Sequence, residues 1–312
     1  MKIAILSRYQ NTINRGAEVY VSELSKRLSQ DNEVEVLFGK DADSLKKVLD
    51  GNFDIVLSIN GGMQLLKASV GRFFKPYKLI ISGQAGIGRG SIWNIVICQP
   101  DYFIALTSVM ATWAKKWAIN TQVVTIPNGV DLEKFRPLGR KIDFNLPKPI
   151  ILSVGALTTY KHHERLINAV SELERGSLVI VGKGGRYKEL KSKGDHLLNG
   201  RFKILDFSHQ EMSEVFRGAD LFSLPSWDRE AFGIVYVEAM ACNLPVVAPN
   251  DQTRKEIIRE AGIFVDVANK KQYAQALHQA LLRNWQNIPR RRAENFSWDE
   301  VARKYQDLFN LK

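Results

Sequence analysis

Short apolar runs alternate with amphipathic stretches along the whole chain. Several of the runs are apolar at every position, as strands are when helices cover both faces of a sheet. Between the runs, apolar residues recur at helical spacing, as in Gly16–Gln30. Strands that alternate with helices predict parallel sheets joined by right-handed crossovers. The predicted strands are Lys2–Ser7, Val34–Phe38, Asp54–Ile59, Lys78–Ser82, Tyr102–Thr107, Gln122–Ile126, Ile150–Val154, Ser177–Val181, Phe202–Leu205, Asp220–Leu224, Pro245–Ala248 and Ile263–Asp266.

The alternation is interrupted between Asp131 and Pro149, where Pro137, Gly139 and Pro147 also lie. Prolines and glycines among charged residues are typical of an exposed linker between domains. We therefore predict an α/β protein with two doubly wound, Rossmann-like domains, 1–137 and 138–295, that face a cleft. Ligands of such domains bind outside the carboxyl ends of the strands.

Composition narrows the function classes. The 312 residues are 45% hydrophobic and 25% charged, as in globular proteins. No apolar run approaches the ~20 residues that span a bilayer, and no signal-peptide pattern is evident, so we expect a cytoplasmic protein. Cys98 and Cys242 are the only cysteines, too few for a disulfide scaffold or a four-cysteine zinc site.

The net charge of +11 suits acidic partners such as phosphates or an anionic membrane face. No nucleic-acid recognition signature accompanies it, so we predict no nucleic-acid partner. The segment 65–78 mixes aromatic residues with Lys67, Arg72, Lys75 and Lys78. Two interpretations stay open: peripheral docking on an anionic membrane surface, or an ordinary amphipathic helix and loop.

Glycines follow several predicted strands where an anion could approach the backbone. Gly16 opens the first helix, Gly155 ends one strand shortly before Lys161, and Gly182 ends the next strand before Lys183. A glycine turn with a nearby lysine suits a phosphate. However, neither the dinucleotide fingerprint nor the P-loop spacing is present, which disfavours dehydrogenases and ATPases.

The most specific pattern is a pair of glutamates, Glu230 and Glu238, separated by seven residues at the start of an apolar helix. A carboxylate in such a helix is costly unless it has a hydrogen-bonding partner, and the two hydroxyls of a ribose would be one. The N–H groups of Phe232 and Gly233 would suit a diphosphate. By contrast, Asp41 and Asp43 precede a helix, which indicates capping, and we predict no metal site.

These motifs together resemble the family four retaining glycosyltransferases, which have the two-domain GT-B fold. The resemblance covers essentially the whole chain. It rests on the Glu230/Glu238 pair with its flanks, the Gly155 turn with Lys161, the Gly182 turn, the Gly16 helix start, and the segment Pro127-Asn128-Gly129-Val130-Asp131. It also implies that a helix in 296–312 crosses back to the first domain.

Some positions depart from the family pattern. Ala156 stands where the family usually has an arginine, so Lys161 would act alone or with another base such as Arg8 or Arg229. Gln84 lies where the family often has a histidine, and glutamine can hydrogen-bond a sugar hydroxyl but cannot act as an acid or base. Asn243 replaces a glycine after the long helix, which a left-handed C′ position tolerates.

The resemblance implies transfer of a sugar from a nucleotide diphosphate sugar to an acceptor hydroxyl, with retention. The second domain would hold the donor, and the first would face a glycan or lipid-linked acceptor. Glu230 and Lys161 would be the catalytic residues, without a cofactor or metal. Donor contacts would come from Gly16, Gly155, Gly182, Lys183, Phe232, Gly233 and Glu238, and weaker acceptor or sugar contacts from Gln84 and Arg8. Two alternatives stay open: a nucleotide-sugar epimerase of the same fold and a non-catalytic nucleotide-sugar-binding subunit.

Overall fold

The computed structural model describes residues 1–10, 16–227 and 230–311. Contacts divide these residues into two compact units. Unit 1 comprises Met1–Gly129 and the segment from Trp298 onward, and unit 2 is Val130–Ser297. No helix in the described ranges is both long and apolar enough to cross a membrane.

Unit 1 contains a six-stranded parallel sheet in the order β2-β1-β3-β4-β5-β6. The residues of the four inner strands are mostly buried because helices pack on the sheet, as their continuous apolar runs predict. The two edge strands, β2 and β6, are largely exposed or half-buried. Its elements up to the linker are β1 (Lys2–Ser7), α1 (Gly16–Leu28), β2 (Glu33–Phe38), α2 (Leu45–Asp50), β3 (Ile55–Ser58), α3 (Met63–Gly71), β4 (Lys78–Ser82), α4 (Arg89–Val96), β5 (Tyr102–Ala105), α5 (Ser108–Lys115) and β6 (Gln122–Thr125).

Unit 2 has a second six-stranded parallel sheet, in the order β12-β11-β10-β7-β8-β9. The chain moves outward from β7 to β9 and then returns to the other side of β7. Its elements are β7 (Ile150–Val154), α6 (His163–Val170), β8 (Ser177–Val181), α7 (Tyr187–Leu198), β9 (Phe202–Leu205), α8 (Met212–Arg217), β10 (Leu221–Ser223), α9 (Ile234–Ala241), β11 (Val246–Pro249), α10 (Gln252–Ile258), β12 (Gly262–Val265), α11 (Lys270–Leu282) and α12 (Ile288–Glu294).

The two parallel sheets confirm the predicted fold class of two doubly wound α/β units. The division between them differs from the predicted one, falling after residue 129 rather than 137. Val130 pairs with Ser297, and the ring of Phe135 packs edge-on against Phe216 at 6.0 Å. These contacts place 130–137 in unit 2, and the return to unit 1 begins at Trp298 rather than at 296.

The last helix, α13 (Trp298–Asn310), packs within unit 1 against α1. The Trp298 ring is buried and lies 5.7 Å from the ring of Tyr20, whose hydroxyl hydrogen-bonds that of Tyr305. A Cβ on Gly129 would lie 2.4 Å from the indole, so only glycine fits there. The end of the chain therefore completes the core of the unit in which the chain begins.

We expect Trp298→Ala to lower the free energy of unfolding by about 3–5 kcal/mol, because it leaves a cavity beneath α13. Trp117→Ala is the matched control in unit 1, since Trp117 is 40% exposed, and it should cost about 1 kcal/mol or less. Urea unfolding followed by circular dichroism measures both. Equal losses in the two variants would contradict a core role for Trp298.

Candidate functional site

The strand order of unit 2 creates a switch point between β7 and β10. These two strands are hydrogen-bonded neighbours, but the connections that leave their carboxyl ends run in opposite directions along the sheet. No crossover covers the gap between such connections, so ligands of open α/β sheets bind there. The β7 strand leads to Gly155 and Lys161, and β10 leads to the loop with Glu230.

The structure brings the two predicted catalytic residues together at this switch point. Lys161 ends a short 3-10 turn, Thr159–Lys161, and its Nζ lies 2.5 Å from Oε2 of Glu230. Their side chains are only 15% and 19% exposed. Sequence reasoning assigned these residues separate contacts and did not anticipate their ion pair, because they lie 69 positions apart in the chain.

Two aromatic rings pack together between the loop that carries Lys161 and the loop that carries Glu230. The Tyr160 and Trp227 rings lie 5.4 Å apart, and the Trp227 N–H donates to the Tyr160 carbonyl at 2.9 Å. Tyr160 immediately precedes Lys161, and the Trp227 carbonyl accepts a hydrogen bond from the Glu230 N–H at 3.4 Å. Trp227 therefore contacts the backbone on both sides of the ion pair. Sequence reasoning missed it because a single exposed aromatic residue carries no motif.

The glycine turns at the ends of β7 and β8 contact each other. Gly182 has φ +154°, and a Cβ there would lie 2.1 Å from the carbonyl oxygen of Gly155. The turns are joined further on, where the Leu157 N–H donates to the Lys183 carbonyl at 2.8 Å. Close backbone approach thus explains Gly182. The Lys183 side chain is 79% exposed and pairs with Asp206.

A buried histidine lies beneath the first of these turns. The His163 side chain is fully buried, and its Nδ1 lies 3.2 Å from the Ser153 hydroxyl. Burial, with the positive charge of Lys161 as a smaller cause, lowers the pKa of His163 to about 4. The imidazole is therefore neutral at physiological pH and supports the Gly155 turn as a packed polar side chain.

The second glutamate, Glu238, occupies an apolar helix as the sequence indicates. Gly233, at φ +80°, precedes α9, and the buried Phe232 ring packs on Phe296 at 5.8 Å. Glu238 is 5% exposed among buried neighbours of the same helix. Burial raises its pKa to about 7, although the charge of Lys134 acts in the opposite direction. A ligand that hydrogen-bonds the ionised carboxylate would stabilise that form and offset part of the desolvation that raises the pKa.

In unit 1, Arg8 is held by Asp43. Its Nε and Nη2 donate to the two carboxylate oxygens at 2.9 and 2.7 Å, and this hydrogen-bonded carboxylate raises the pKa of Arg8. Asp43 therefore neutralises the charge that Arg8 was expected to offer, and Arg229 lies outside the described residues. The capping prediction for Asp41 and Asp43 is wrong, because the Ser44 hydroxyl caps α2.

The other predicted residues of unit 1 occupy loop and helix-start positions. Gln84 and Asn128 form a reciprocal amide pair, with N–O distances of 2.7 and 3.2 Å. Gly16 is the exposed first residue of α1. Within 1–10, 16–227 and 230–311, no group of three or more His, Cys, Asp or Glu side chains is arranged to hold a metal ion.

Comparison with known proteins identifies the family. The sequence model of the glycosyl transferases group 1 matches residues 136–297, just over half of the chain. A D-inositol 3-phosphate glycosyltransferase of Streptomyces bingchenggensis is 28% identical over 60% of this chain and 47% of its own. A GDP-mannose-dependent monoacylated alpha-(1-6)-phosphatidylinositol monomannoside mannosyltransferase of Corynebacterium glutamicum is 28% identical over 50% of this chain and 46% of its own. The chain spans about half the length of these curated relatives.

Solved structures show the same fold over almost the whole chain. Anabaena HepE in complex with UDP and glucose superposes with a TM-score of 0.81 at 18% identity, covering 99% of both chains. Sucrose-phosphate synthase from Thermosynechococcus elongatus gives a TM-score of 0.82 at 18% identity, covering 99% of this chain and 98% of its own. The fold is that of the GT-B glycosyltransferases. The chain belongs to the glycosyl transferases group 1 family, which confirms the family resemblance.

The raised pKa of Glu238 makes stability depend on pH. Because the pKa is about 7 in the folded state and 4.5 ordinarily, folding favours the protonated carboxyl. The stability from this group is full below about pH 4.5 and is lost as the pH rises through about 7. We expect the Tm of Glu238→Gln, relative to wild type, to rise from pH 5 to about pH 7 and to level off by pH 8.

Thermal melts at several pH values measure this difference. Glu172→Gln is the control, because Glu172 is exposed and pairs with Lys270 at the surface. Its Tm difference from wild type should show no such rise above pH 5. A Glu238→Gln difference that stays constant from pH 5 to 8 would rule out the raised pKa.

Proposed function

We propose that this chain transfers a sugar from a nucleotide diphosphate sugar to an acceptor hydroxyl, with retention at the anomeric carbon. The observation that carries the proposal is the Lys161–Glu230 ion pair at the switch point of unit 2, with Glu238 eight residues further along the chain, inside α9. A cation and two carboxyl groups match the diphosphate, the sugar hydroxyls and the ribose hydroxyls of one donor molecule. Membership in a glycosyltransferase family supports the same reaction.

Each side chain has a role that its environment suits. Lys161 would exchange its contact with Glu230 for the donor diphosphate and stabilise the charge that develops on the leaving phosphate. Glu230 would then accept hydrogen bonds from the donor sugar. Glu238 would bind the ribose hydroxyls in its ionised form, and the N–H groups at Phe232 and Gly233 would meet the diphosphate. The backbone turns at Gly155 and Gly182 would let the diphosphate approach the sheet.

The bond changes follow the front-face mechanism that the family resemblance implies. The bond between the anomeric carbon and the phosphate oxygen breaks, and the acceptor oxygen bonds to the same face. The acceptor proton moves to the leaving phosphate, so the nucleoside diphosphate departs and no covalent enzyme intermediate forms. Lys161 and the main-chain amides supply the positive charge, and the proposal includes no metal ion or other cofactor.

The names of similar proteins indicate the kind of donor and acceptor to test first. HepE was solved with UDP and glucose, and the relative from Corynebacterium glutamicum is named a GDP-mannose-dependent phosphatidylinositol monomannoside mannosyltransferase. We propose a hexosyl donor on UDP or GDP and a glycan or lipid-linked glycan acceptor. Unit 1 would contact the acceptor, with the amide pair of Gln84 and Asn128 as a candidate contact.

The test is transfer of radiolabelled sugar in the presence of EDTA, after a thermal-shift screen identifies the donor. We expect Glu230→Gln and Lys161→Met each to lower kcat by about 10²-fold, since each removes a polar contact to the reacting groups. Glu172→Gln and Lys270→Met are matched controls, because these residues form a surface Lys–Glu pair in the same unit. Their kcat should stay within twofold of wild type.

The outcomes separate the proposal from its alternatives. Donor turnover without any acceptor would indicate an epimerase, and donor binding without transfer to any acceptor extract would indicate a non-catalytic subunit. Wild-type rates for both Glu230→Gln and Lys161→Met would refute the site. Loss of transfer in EDTA that manganese restores would refute the metal-free mechanism.

We also propose that unit 1 docks on an anionic membrane through an apolar tip formed by Phe73, Phe74, Ile97 and Ile119. Phe73 is 88% and Ile119 90% exposed. Arg72 donates to the Gln99 carbonyl at 2.7 Å, and Asn120 donates to the Gln99 side chain at 3.1 Å. These contacts bring the neighbouring apolar residues to one end of unit 1.

The charge around the apolar tip favours an anionic surface as its partner. Lys115 and Lys116, near Ile119 in the chain, are exposed. Lys75 and Lys78, which follow Phe74 in the chain, donate to main-chain carbonyls, and these contacts hold their ammonium groups in place without neutralising them. Lys67 instead donates to the Asp43 carbonyl, beside Arg8. Each base near an anionic leaflet contributes about 1 kcal/mol, and inserted aromatic rings add to this.

Co-sedimentation with phosphatidylglycerol or phosphatidylcholine vesicles tests the docking. We expect binding to the anionic vesicles only, weakened by salt, and at least a tenfold loss of partitioning for Phe73→Ser with Phe74→Ser. The control is Leu138→Ser with Leu282→Ser, which removes two exposed apolar side chains from unit 2. Recovery in the supernatant with every vesicle would refute the docking and favour a soluble acceptor.

A further inference from the structure

A buried arginine lies next to the loop that leads to Glu230. Arg254 belongs to α10, and its side chain is fully buried. Its Nη1 donates to Asp251 at 2.9 Å, and the same carboxylate caps the helix by accepting the Arg254 N–H at 3.0 Å. One side of the guanidinium is therefore fixed to the helix from which it projects.

The other side of the guanidinium holds the loop that follows β10. Nη2 donates to the Ser226 hydroxyl and to the Trp227 carbonyl, each at 2.7 Å. That carbonyl also receives the Glu230 N–H, and the N–H of Trp227 reaches the Tyr160 carbonyl next to Lys161. Arg254 is thus connected through one residue, Trp227, to both members of the ion pair.

Packing alone does not account for a guanidinium at this position. Burial of a cation carries a desolvation cost that well-packed apolar residues avoid. The fork of an arginine can hold a carboxylate on one side and a carbonyl on the other, whereas the single ammonium of a lysine cannot reproduce that geometry. By bonding Asp251 on one side and the Trp227 carbonyl on the other, the guanidinium fixes the distance between α10 and the Trp227 backbone.

We propose that Arg254 is a positioning residue for the candidate site: its guanidinium fixes the Trp227 backbone and thereby the separation of Lys161 and Glu230. Because its side chain is fully buried, Arg254 would act on the loop and not on the donor directly. The kinetic consequence rests on the proposed glycosyl transfer, but the structural consequence does not.

Hydrogen–deuterium exchange tests the structural part on the full chain without any ligand. We expect Arg254→Met and Arg254→Lys to speed exchange at least tenfold in the peptides that contain Tyr160–Lys161 and Trp227. The matched control is Arg292→Met, because Arg292 is also buried in unit 2 and donates to the Ile257 and Glu256 carbonyls at the far end of α10. Its exchange in these peptides should match wild type.

A milder variant keeps the test valid if Arg254 variants do not fold. Ser226→Ala removes one acceptor and leaves the buried arginine in place, so it should speed exchange in the same peptides by a smaller factor. Equal exchange in Ser226→Ala and wild type, or equal effects of Arg254→Met and Arg292→Met, would overturn the proposal.

The kinetic part uses the donor found by the screen. We expect Arg254→Lys to lower kcat by about 10–100-fold with less than a threefold change in donor KM, because a displacement of about 1 Å between reacting groups can cost about 10²-fold. Arg292→Lys should leave kcat within twofold of wild type. If exchange rises in Arg254→Lys but kcat does not fall, the positioning role is wrong. If the wild type transfers no sugar, the glycosyl-transfer proposal fails and the exchange experiment alone decides the role of Arg254.

Discussion

The reversal of strand order between β7 and β10 is the constraint on which the candidate site depends. Two neighbouring parallel strands whose connections leave in opposite directions open a gap at their carboxyl ends. Lys161 follows one strand and Glu230 the other, so their ion pair exists only because the topology places these two connections side by side. On the other side of β7, the turns that end β7 and β8 come so close that a Cβ on Gly182 would lie 2.1 Å from the Gly155 carbonyl oxygen, which requires glycine there.

The site combines groups whose charges are costly to hold near the protein interior. Lys161 and Glu230 are mostly shielded from water and neutralise each other, whereas burial leaves Glu238 with a pKa of about 7. The surrounding structure maintains these groups through backbone contacts rather than through mutual attraction alone. Trp227 and Arg254 provide those contacts. The geometry of the site therefore depends in part on residues that belong to no recognised sequence motif.

The strands, several helices and the burial of Glu238 could be predicted from the sequence, because the patterns that indicate them involve only neighbouring residues. Continuous apolar runs gave the strands, and helical spacing gave α1 and α9 to within a few residues. The position of Glu238 inside an apolar helix was predictable, as was a left-handed Asn243, which has φ 64°. The domain boundary was less accurate, because the pairing of Val130 with Ser297 joins residues far apart in the chain.

The sequence by itself determined the two α/β units, the family resemblance and the two glutamates, since apolar periodicity and motif spacing depend only on neighbouring positions. Only the tertiary structure decided that Lys161 meets Glu230, that Asp43 neutralises Arg8, and that Lys183 stays at the surface. Ion pairs of this kind depend on which loops the sheet order brings together. Arg8 and Asp43 lie 35 positions apart, and Lys161 and Glu230 lie 69 apart, so no local sequence pattern predicts their contacts.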